Sequence, residues 1–410
     1  MSPVATRKSS QSASKIEGTH LTWELIEEDF RKQNPENSGI KTGRRRVAKP
    51  LGTLNGFIST CFYLEFDWEG QKSSENSSLP KNAILKLVEC SRMQLQADSL
   101  GDVDDVETNA RAFNDTELQF LSRSRDEAGL GQAIPVPKFY GGREFNFNGQ
   151  GFGYVLIEYF PKIQTRHILH LIGDAGVRDV IKVLADLTVF SAKNRHFIAE
   201  FDEQRLAETM ADYAHPTKLH RFLDRLQAKF PEKSGEITVL RSQTKYFDDI
   251  NTYFARLRAT AKFPILVHGD LWPGNILWAK NNGEYSVQAI VDWQLTHHGS
   301  PLEDLARFLP TALSGEDYRM SRDVYLRQNY DLISEKLQTT EMPWDSFEAM
   351  QKGYEIALPL VVIVYTPLFL EMLDHSPHRK RIKNAELDVF HAKIRATLDD
   401  AAQCIKKWDS

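Results

Sequence analysis

A chain of 410 residues with 41% hydrophobic side chains is long enough to build two packed lobes around a sizeable core. Its net charge of −5 argues against a dedicated nucleic-acid binder. Its three cysteines, Cys61, Cys90 and Cys404, are scattered and form no C-x-x-C pair, which argues against a disulfide framework or a zinc site and suits a reduced, cytoplasmic protein.

Residues 1–17 are Ser- and Lys-rich, lack the apolar centre of a signal peptide, and are expected to form a disordered tail. Thr22 reads as a helix N-cap, with Glu24, Glu27 and Glu28 in the early turns and Trp23, Ile26 and Phe30 on one apolar face. The basic run Arg44-Arg45-Arg46, flanked by Lys41 and Lys49, is either a solvated loop or a patch that steers phosphate. Gly52 and Gly56 then sit in a strand–turn–strand pattern that runs through Ser59 into the alternating stretch Cys61 to Phe66. Glycines there let backbone N–H groups approach phosphate oxygens closely. Hairpin turns favour Asn and Gly anyway, so the pattern gains weight only from its position upstream of a strand that carries a lysine.

That lysine is Lys86, inside the otherwise apolar strand Ala83 to Val88. A buried lysine needs a partner, so Lys86 is either an edge-strand residue in solvent or one half of an ion pair. Glu117 is the candidate partner: it lies four residues after Phe113 on the helix face that also carries Phe120 and Leu121, with Asp115 as its rival.

The string Gly149-Gln150-Gly151-Phe152-Gly153 looks like a dinucleotide-binding motif but lies between two strand-like runs, Glu144 to Phe147 and Tyr154 to Glu158. Asn148-Gly149 is better read as a hairpin turn, because a dinucleotide fingerprint needs a helix opening straight after its glycines. Beyond Pro161 the spacing turns helical, at Val177 to Ala192 and again at Tyr246 to Leu257. The apolar run Ile356 to Leu370 is 15 residues long and interrupted by Pro359 and Pro367, short of the ~20 needed to span a membrane. It is expected to be a buried helix, and no membrane partner is expected.

The chemistry concentrates at His268-Gly269-Asp270-Leu271-Trp272-Pro273-Gly274-Asn275, an H-x-D-L-x-x-x-N pattern that matches the catalytic loop of enzymes moving the γ-phosphoryl of ATP. Ile276 to Trp278 and Val287 to Val291 flank Asn281-Asn282-Gly283 as a hairpin that presents Asp292 at its end, as a metal-binding acid is presented. Asp270 would accept the proton of an attacking hydroxyl. Asn275 and Asp292 would offer oxygens to Mg²⁺, which needs few protein ligands. His268 fits a brace for the loop better than a chemical role. Ser300-Pro301-Leu302-Glu303 reads as a capping box opening a helix with Leu305, Phe308 and Leu309, and Asp304 sits where an acid favours the helix dipole.

The strings LVHGDLWPGNILW and AIVDWQLTHHGSPLEDLARFL resemble the choline/aminoglycoside-type small-molecule kinases, and most of all their ecdysteroid-kinase-like (CHK kinase-like) branch, which reads HGD for HRD and DFQ or DWQ for DFG. The likeness extends more weakly from about Thr19 to about residue 395. It implies an α+β, two-lobed protein-kinase-like fold: a small antiparallel β-sheet N-lobe with one helix, over 18–158, and a larger, mostly helical C-lobe over 159–410. It implies ATP with Mg²⁺, a glycine loop at Gly52, Gly56 and Ser59, Lys86 on the α/β-phosphates with Glu117 beside it, and adenine bonded by the backbone from Glu158 to Phe160. It adds a brace for the catalytic loop as a second role for Asp304.

Two departures from protein kinases narrow the acceptor. Between Gln294 and Ser300 there is no room for an activation loop, and Gly269 replaces the Arg that often pairs with a phosphorylated one. A small-molecule hydroxyl is therefore the expected acceptor, sterol-, choline- or xenobiotic-conjugate-like, with no obligatory protein partner. Trp272, Trp293, His297 and His298 either line its pocket or pack the core. An inactive pseudokinase binding module and an atypical protein kinase are the competing readings.

Overall fold

The computed structural model describes residues 15–41, 43, 45–51, 59–69, 79–90, 106–127, 129–145, 149, 151–201, 215–242, 244, 250–375 and 379–407. The positions singled out at Gly52, Gly56, Arg44 and Asn148 lie outside the described residues.

The first part of the chain is built on a five-stranded antiparallel sheet in the order β1-β2-β3-β5-β4: β1 Val47–Pro50, β2 Ser59–Glu65, β3 Asn82–Glu89, β4 Phe139–Arg143 and β5 Phe152–Glu158. Strand alternation gives it two faces. Phe62, Leu64, Leu85, Leu87 and Leu156 pack against helix α1, Trp23–Gln33, through the expected Trp23, Ile26 and Phe30. Burying each of these large apolar side chains is worth roughly 1.5–3 kcal/mol. The Thr22 hydroxyl caps α1 by accepting from the Leu25 amide at 3.2 Å. Arg46, which the sequence left between solvent and phosphate, pairs with Glu24 and Glu27 of α1 and lies over the Trp23 ring. The opposite face carries Lys86, in register with Cys61 and Val155, toward helix α2, Val106–Asp126.

The strand paired with β5 lies earlier than expected, at Phe139–Arg143, with Glu144 and Phe145 beyond its end. Its two glycines disguise it in the sequence, because glycine is a poor strand former. Gly142 is needed for contact, since a Cβ there would meet the Tyr154 carbonyl at 2.7 Å, whereas one on Gly141 would make only an ordinary contact with the Phe30 backbone at 3.6 Å.

After β5 the chain becomes mostly helical: α3 Asp174–Lys193, α4 Pro216–Lys229, α5 Ser234–Ser242, α6 Ile250–Arg258, α7 Glu303–Ala312, α8 Gly315–Leu337, α9 Phe347–Leu360, α10 Thr366–His375 and α11 Asn384–Lys406. Two small antiparallel pairs interrupt it. β6 Ile265–Val267 joins β9 His297–Gly299, and β7 Ile276–Asn281 turns through Asn282 and Gly283, both at positive φ, into β8 Glu284–Ile290. That is the turn geometry an Asn-Gly pair favours. A continuous apolar core unites these helices with Phe120 and Leu121 of α2. The stretch Phe347–Glu371 is long and apolar enough to cross a membrane, and most of it is buried against the other helices. Between α9 and α10, Val361–Tyr365 forms a π-turn, in which the Thr366 amide reaches back to the Val361 carbonyl. Pro367 has no N–H to offer the Ile363 carbonyl, which accounts for a widened turn here. The apolar run is thus the buried helix expected, and it continues past Pro367 with a bulge.

Candidate functional site

β6 delivers the chain to the catalytic loop, and the loop is held by its own polar groups. The His268 ring, almost fully buried, accepts from the Asp270 amide through Nδ1 at 3.1 Å and donates through Nε2 to the Val291 carbonyl at 2.9 Å. Burial pushes this imidazole down to about 4, so it is neutral, the form with one donor and one acceptor nitrogen. Asp304, at the start of α7, takes the His268 amide at 2.8 Å and the Gly269 amide at 3.0 Å, one on each carboxylate oxygen. Bracing the loop is therefore its visible role. Gly269 has φ +79°, and a Cβ there would strike the Leu295 carbonyl, so the residue is glycine for backbone reasons as well as for lack of an activation loop to bind.

The capping box is half formed. The Ser300 amide donates to Glu303 Oε1 at 2.7 Å, but the Ser300 hydroxyl faces Thr260 and the Leu302 amide, and α7 starts only at Glu303.

Asn275 ends the short turn beyond the loop, with its Nδ2 donating to the Asp270 carbonyl at 2.8 Å and to Asp270 Oδ2 at 3.1 Å. That orientation turns its Oδ1 into the remaining donor atom. Asp292 stands just past β8 with φ +69°, a strained conformation for a residue with a side chain and one that clusters at functional sites. From there its Oδ1 accepts from Lys86 Nζ at 2.5 Å. Lys86 also donates to Glu117 Oε2 at 2.5 Å and to Gln294 Oε1 at 3.4 Å. Burial alone would push the Lys86 ammonium down, but the Asp292 and Glu117 carboxylates outweigh it and hold it above its ordinary range. Asp115 faces elsewhere, accepting from the Phe145 amide at 2.7 Å, so Glu117 is the partner. An amide oxygen from Asn275 and a second carboxylate oxygen from Asp292 make a small, hard, all-oxygen donor set, which suits Mg²⁺.

The sequence expectations thus converge, with exceptions. Lys86, Glu117, Asp292, His268, Asp270 and Asn275 come together. Ser59 opens β2, buried and in register with Val88. At the end of β5, the Glu158 amide donates to the Lys138 carbonyl at 2.9 Å and so is already paired within the protein. Of the four acceptor-wall candidates, Trp293 and His297 are core residues. Trp293 stacks on Phe120 with ring centroids 4.1 Å apart, and His297 is tied to Glu303 at 3.1 Å. Trp272 packs edge-on against Phe369 and His167, and the His298 amide donates to the Phe201 carbonyl.

Two residues were missed. Gln294 joins the Lys86 cluster, and Arg307 on α7 is ion-paired with Asp270 Oδ1 while its guanidinium lies 3.4 Å from the Tyr365 ring centroid. The available signal was an arginine among Leu305, Phe308 and Leu309, three residues after Asp304 and so on its side of the helix. Burial pushes the Asp270 carboxyl up to about 6, with Asp292 adding to the rise and Arg307 and Asn275 opposing it.

An antiparallel sheet whose lysine pairs with a helix glutamate, set against a helical lobe that carries this loop and this acid, is the two-lobed arrangement of kinase-like proteins. The chain belongs to the DUF1679 family, whose model is described as "Uncharacterized oxidoreductase dhs-27" and matches residues 10–407. It is 22% identical over 303 residues to "Uncharacterized kinase-like protein D1044.1" of Caenorhabditis elegans, covering 73% of this chain and 77% of that protein. Among solved structures, it is similar to a microcompartment-associated aminopropanol kinase (TM-score 0.43, 13% identity, 91% of this chain and 98% of that one). It is also similar to a Plasmodium vivax ethanolamine kinase (TM-score 0.39, 11% identity, 91% and 87%) and to wild-type aminoglycoside 2'-phosphotransferase-IIIa with GDP (TM-score 0.40, 13% identity, 93% and 98%). Likenesses this weak carry no function across, and the two-lobed assignment rests on this chain's own elements. The glycine string at 149–153, whose last two residues lie in β5 of the antiparallel sheet, does not have the strand-to-helix context of a dinucleotide fingerprint.

Proposed function

We propose that this protein is an ATP-dependent phosphotransferase that moves the γ-phosphoryl group to a hydroxyl of a small organic acceptor. The observation that carries the reading is Lys86, buried between Glu117 of α2 and Asp292 beside the catalytic loop, in the positions where kinases hold the phosphates of ATP. In this reading the lobes meet at 158/159. Lys86 takes the α/β-phosphates, and Glu117 and Gln294 orient it. The hinge backbone at Tyr159 and Phe160 meets adenine.

Asn275 and Asp292 would hold Mg²⁺, which would supply neutralisation of the charge on the phosphates. Asp270 orients the acceptor hydroxyl. As the acceptor oxygen bonds to the γ-phosphorus, the bond to the ADP oxygen breaks, and the hydroxyl proton passes to Asp270 late in the step. A free alcohol is too weak an acid to ionise beforehand, so the carboxylate acts mainly by position. Base catalysis of this kind is worth about 10²–10⁴-fold.

The test uses γ-labelled ATP, Mg²⁺ and a cell extract split into small-molecule and protein fractions, with wild type set against Asp270→Asn. Label in an organic small molecule with wild type alone is the expected result. Label in protein alone would favour a protein kinase. Intact ATP binding without Asp270-dependent label in either fraction would favour a pseudokinase.

A further inference from the structure

The loop from His268 to Asn275 contains no lysine or arginine, so the positive charge beside Asp270 has to come from elsewhere in the fold. It comes from Arg307, one helical turn beyond the residue that braces the loop backbone. Arg307 holds Asp270 Oδ1 while Asn275 holds Oδ2, so the carboxylate is gripped at both oxygens by groups from two separate elements. The guanidinium is fixed in its turn. Its side chain is 7% exposed, its plane lies on Tyr365, and Phe369 stands 5.9 Å away. Tyr365 is the last residue of the π-turn, so the local widening of that helix sets the platform on which the guanidinium rests. Arg307 Nε and Nη1 have no hydrogen-bond partner among the described residues. The Tyr365 side chain also hydrogen-bonds Arg307, which fixes the guanidinium further.

We infer that Arg307 is a positioning residue for phosphoryl transfer: clamped on Tyr365, its guanidinium holds the Asp270 carboxylate in the orientation that meets the acceptor hydroxyl. This rests on the phosphotransferase reading above. Arg307 takes no proton and keeps its charge throughout the step. Its effect passes through Asp270, and it belongs to kcat more than to nucleotide affinity.

Mg·ATP hydrolysis, with water as the acceptor, tests this without knowledge of the natural substrate, alongside calorimetric titration of ATP. Arg307→Met should lower kcat about 100-fold, the scale of a displaced catalytic group, while the KM for ATP stays within about threefold. Arg307→Lys should recover about tenfold of that loss, and millimolar methylguanidinium should partly restore Arg307→Ala but not Asp270→Asn. The double variant Arg307→Met with Asp270→Asn should be no slower than Asp270→Asn alone, since groups acting as a unit are not additive. If Arg307→Met fails to fold, Tyr365→Leu removes the platform and should cost about tenfold in kcat. Turnover within about twofold of wild type in the variant that folds, or a double variant slower by the product of both effects, overturns the inference and leaves the phosphotransferase reading standing. Wild type that binds ATP but passes its γ-phosphoryl neither to water nor to any compound of the cell extract overturns both.

Discussion

Among the described residues, the Arg143–Asp29 pair of the first lobe contrasts with the Arg307–Asp270 pair of the second. In the first, Arg143 at the end of β4 grips Asp29 of α1 bidentately, Nε to Oδ2 at 2.7 Å and Nη2 to Oδ1 at 2.8 Å, and the Tyr154 hydroxyl adds a third bond to Oδ2 at 2.5 Å. In the second, Arg307 meets Asp270 through one nitrogen only and leaves two donors unused. The first pair is saturated and fastens α1 to the sheet. The second keeps open valence on both partners at the place where a substrate hydroxyl and a phosphoryl group would arrive. Stability favours the closed arrangement and chemistry the open one.

That contrast can be broken at several points. Asp270→Asn should lower phosphoryl transfer by about 10²–10⁴-fold while ATP binding changes little, measured as label transfer and by calorimetric titration. Asp29→Asn should do the reverse. It leaves a buried arginine uncompensated, for roughly 3–5 kcal/mol of lost stability in chemical denaturation, with turnover per folded molecule unchanged. Asp292→Asn should weaken Mg·ATP binding by about 10- to 100-fold, because it would remove the proposed metal ligand and one of the two carboxylates that keep Lys86 charged.

The smallest effect concerns pH. With its carboxyl pushed up to about 6 by burial, Asp270 is the ionised base only above that value, so kcat/KM should fall as pH drops through about 6. Arg307→Met removes a charge that favours the ionised form and should move this acid limb to higher pH. An unshifted limb would mean that another group controls it.

The elements legible in the chain alone are those whose signals are local. Thr22 caps α1 because a threonine before Trp23 can reach the Leu25 amide, and Asn282-Gly283 turns β7 into β8 because both positions need positive φ. His268, Asp270 and Asn275 were readable because one short loop carries all three. Lys86 and Glu117 were readable because a charge within an apolar strand demands a partner on the next helix.

The rest took shape only when distant segments met. β4 was hidden by two glycines, one of which, Gly142, is required by close approach to Tyr154, a neighbour on the next strand. Trp293 and His297 became core residues through Phe120 and Glu303. Arg307 acquired its place from three separate segments: α7, the catalytic loop and a π-turn formed where Pro367 withholds an N–H. Backbone and capping preferences act over a few residues and leave a pattern in the chain. Whether a buried charge finds a saturated or an open partner depends on elements that meet only after folding.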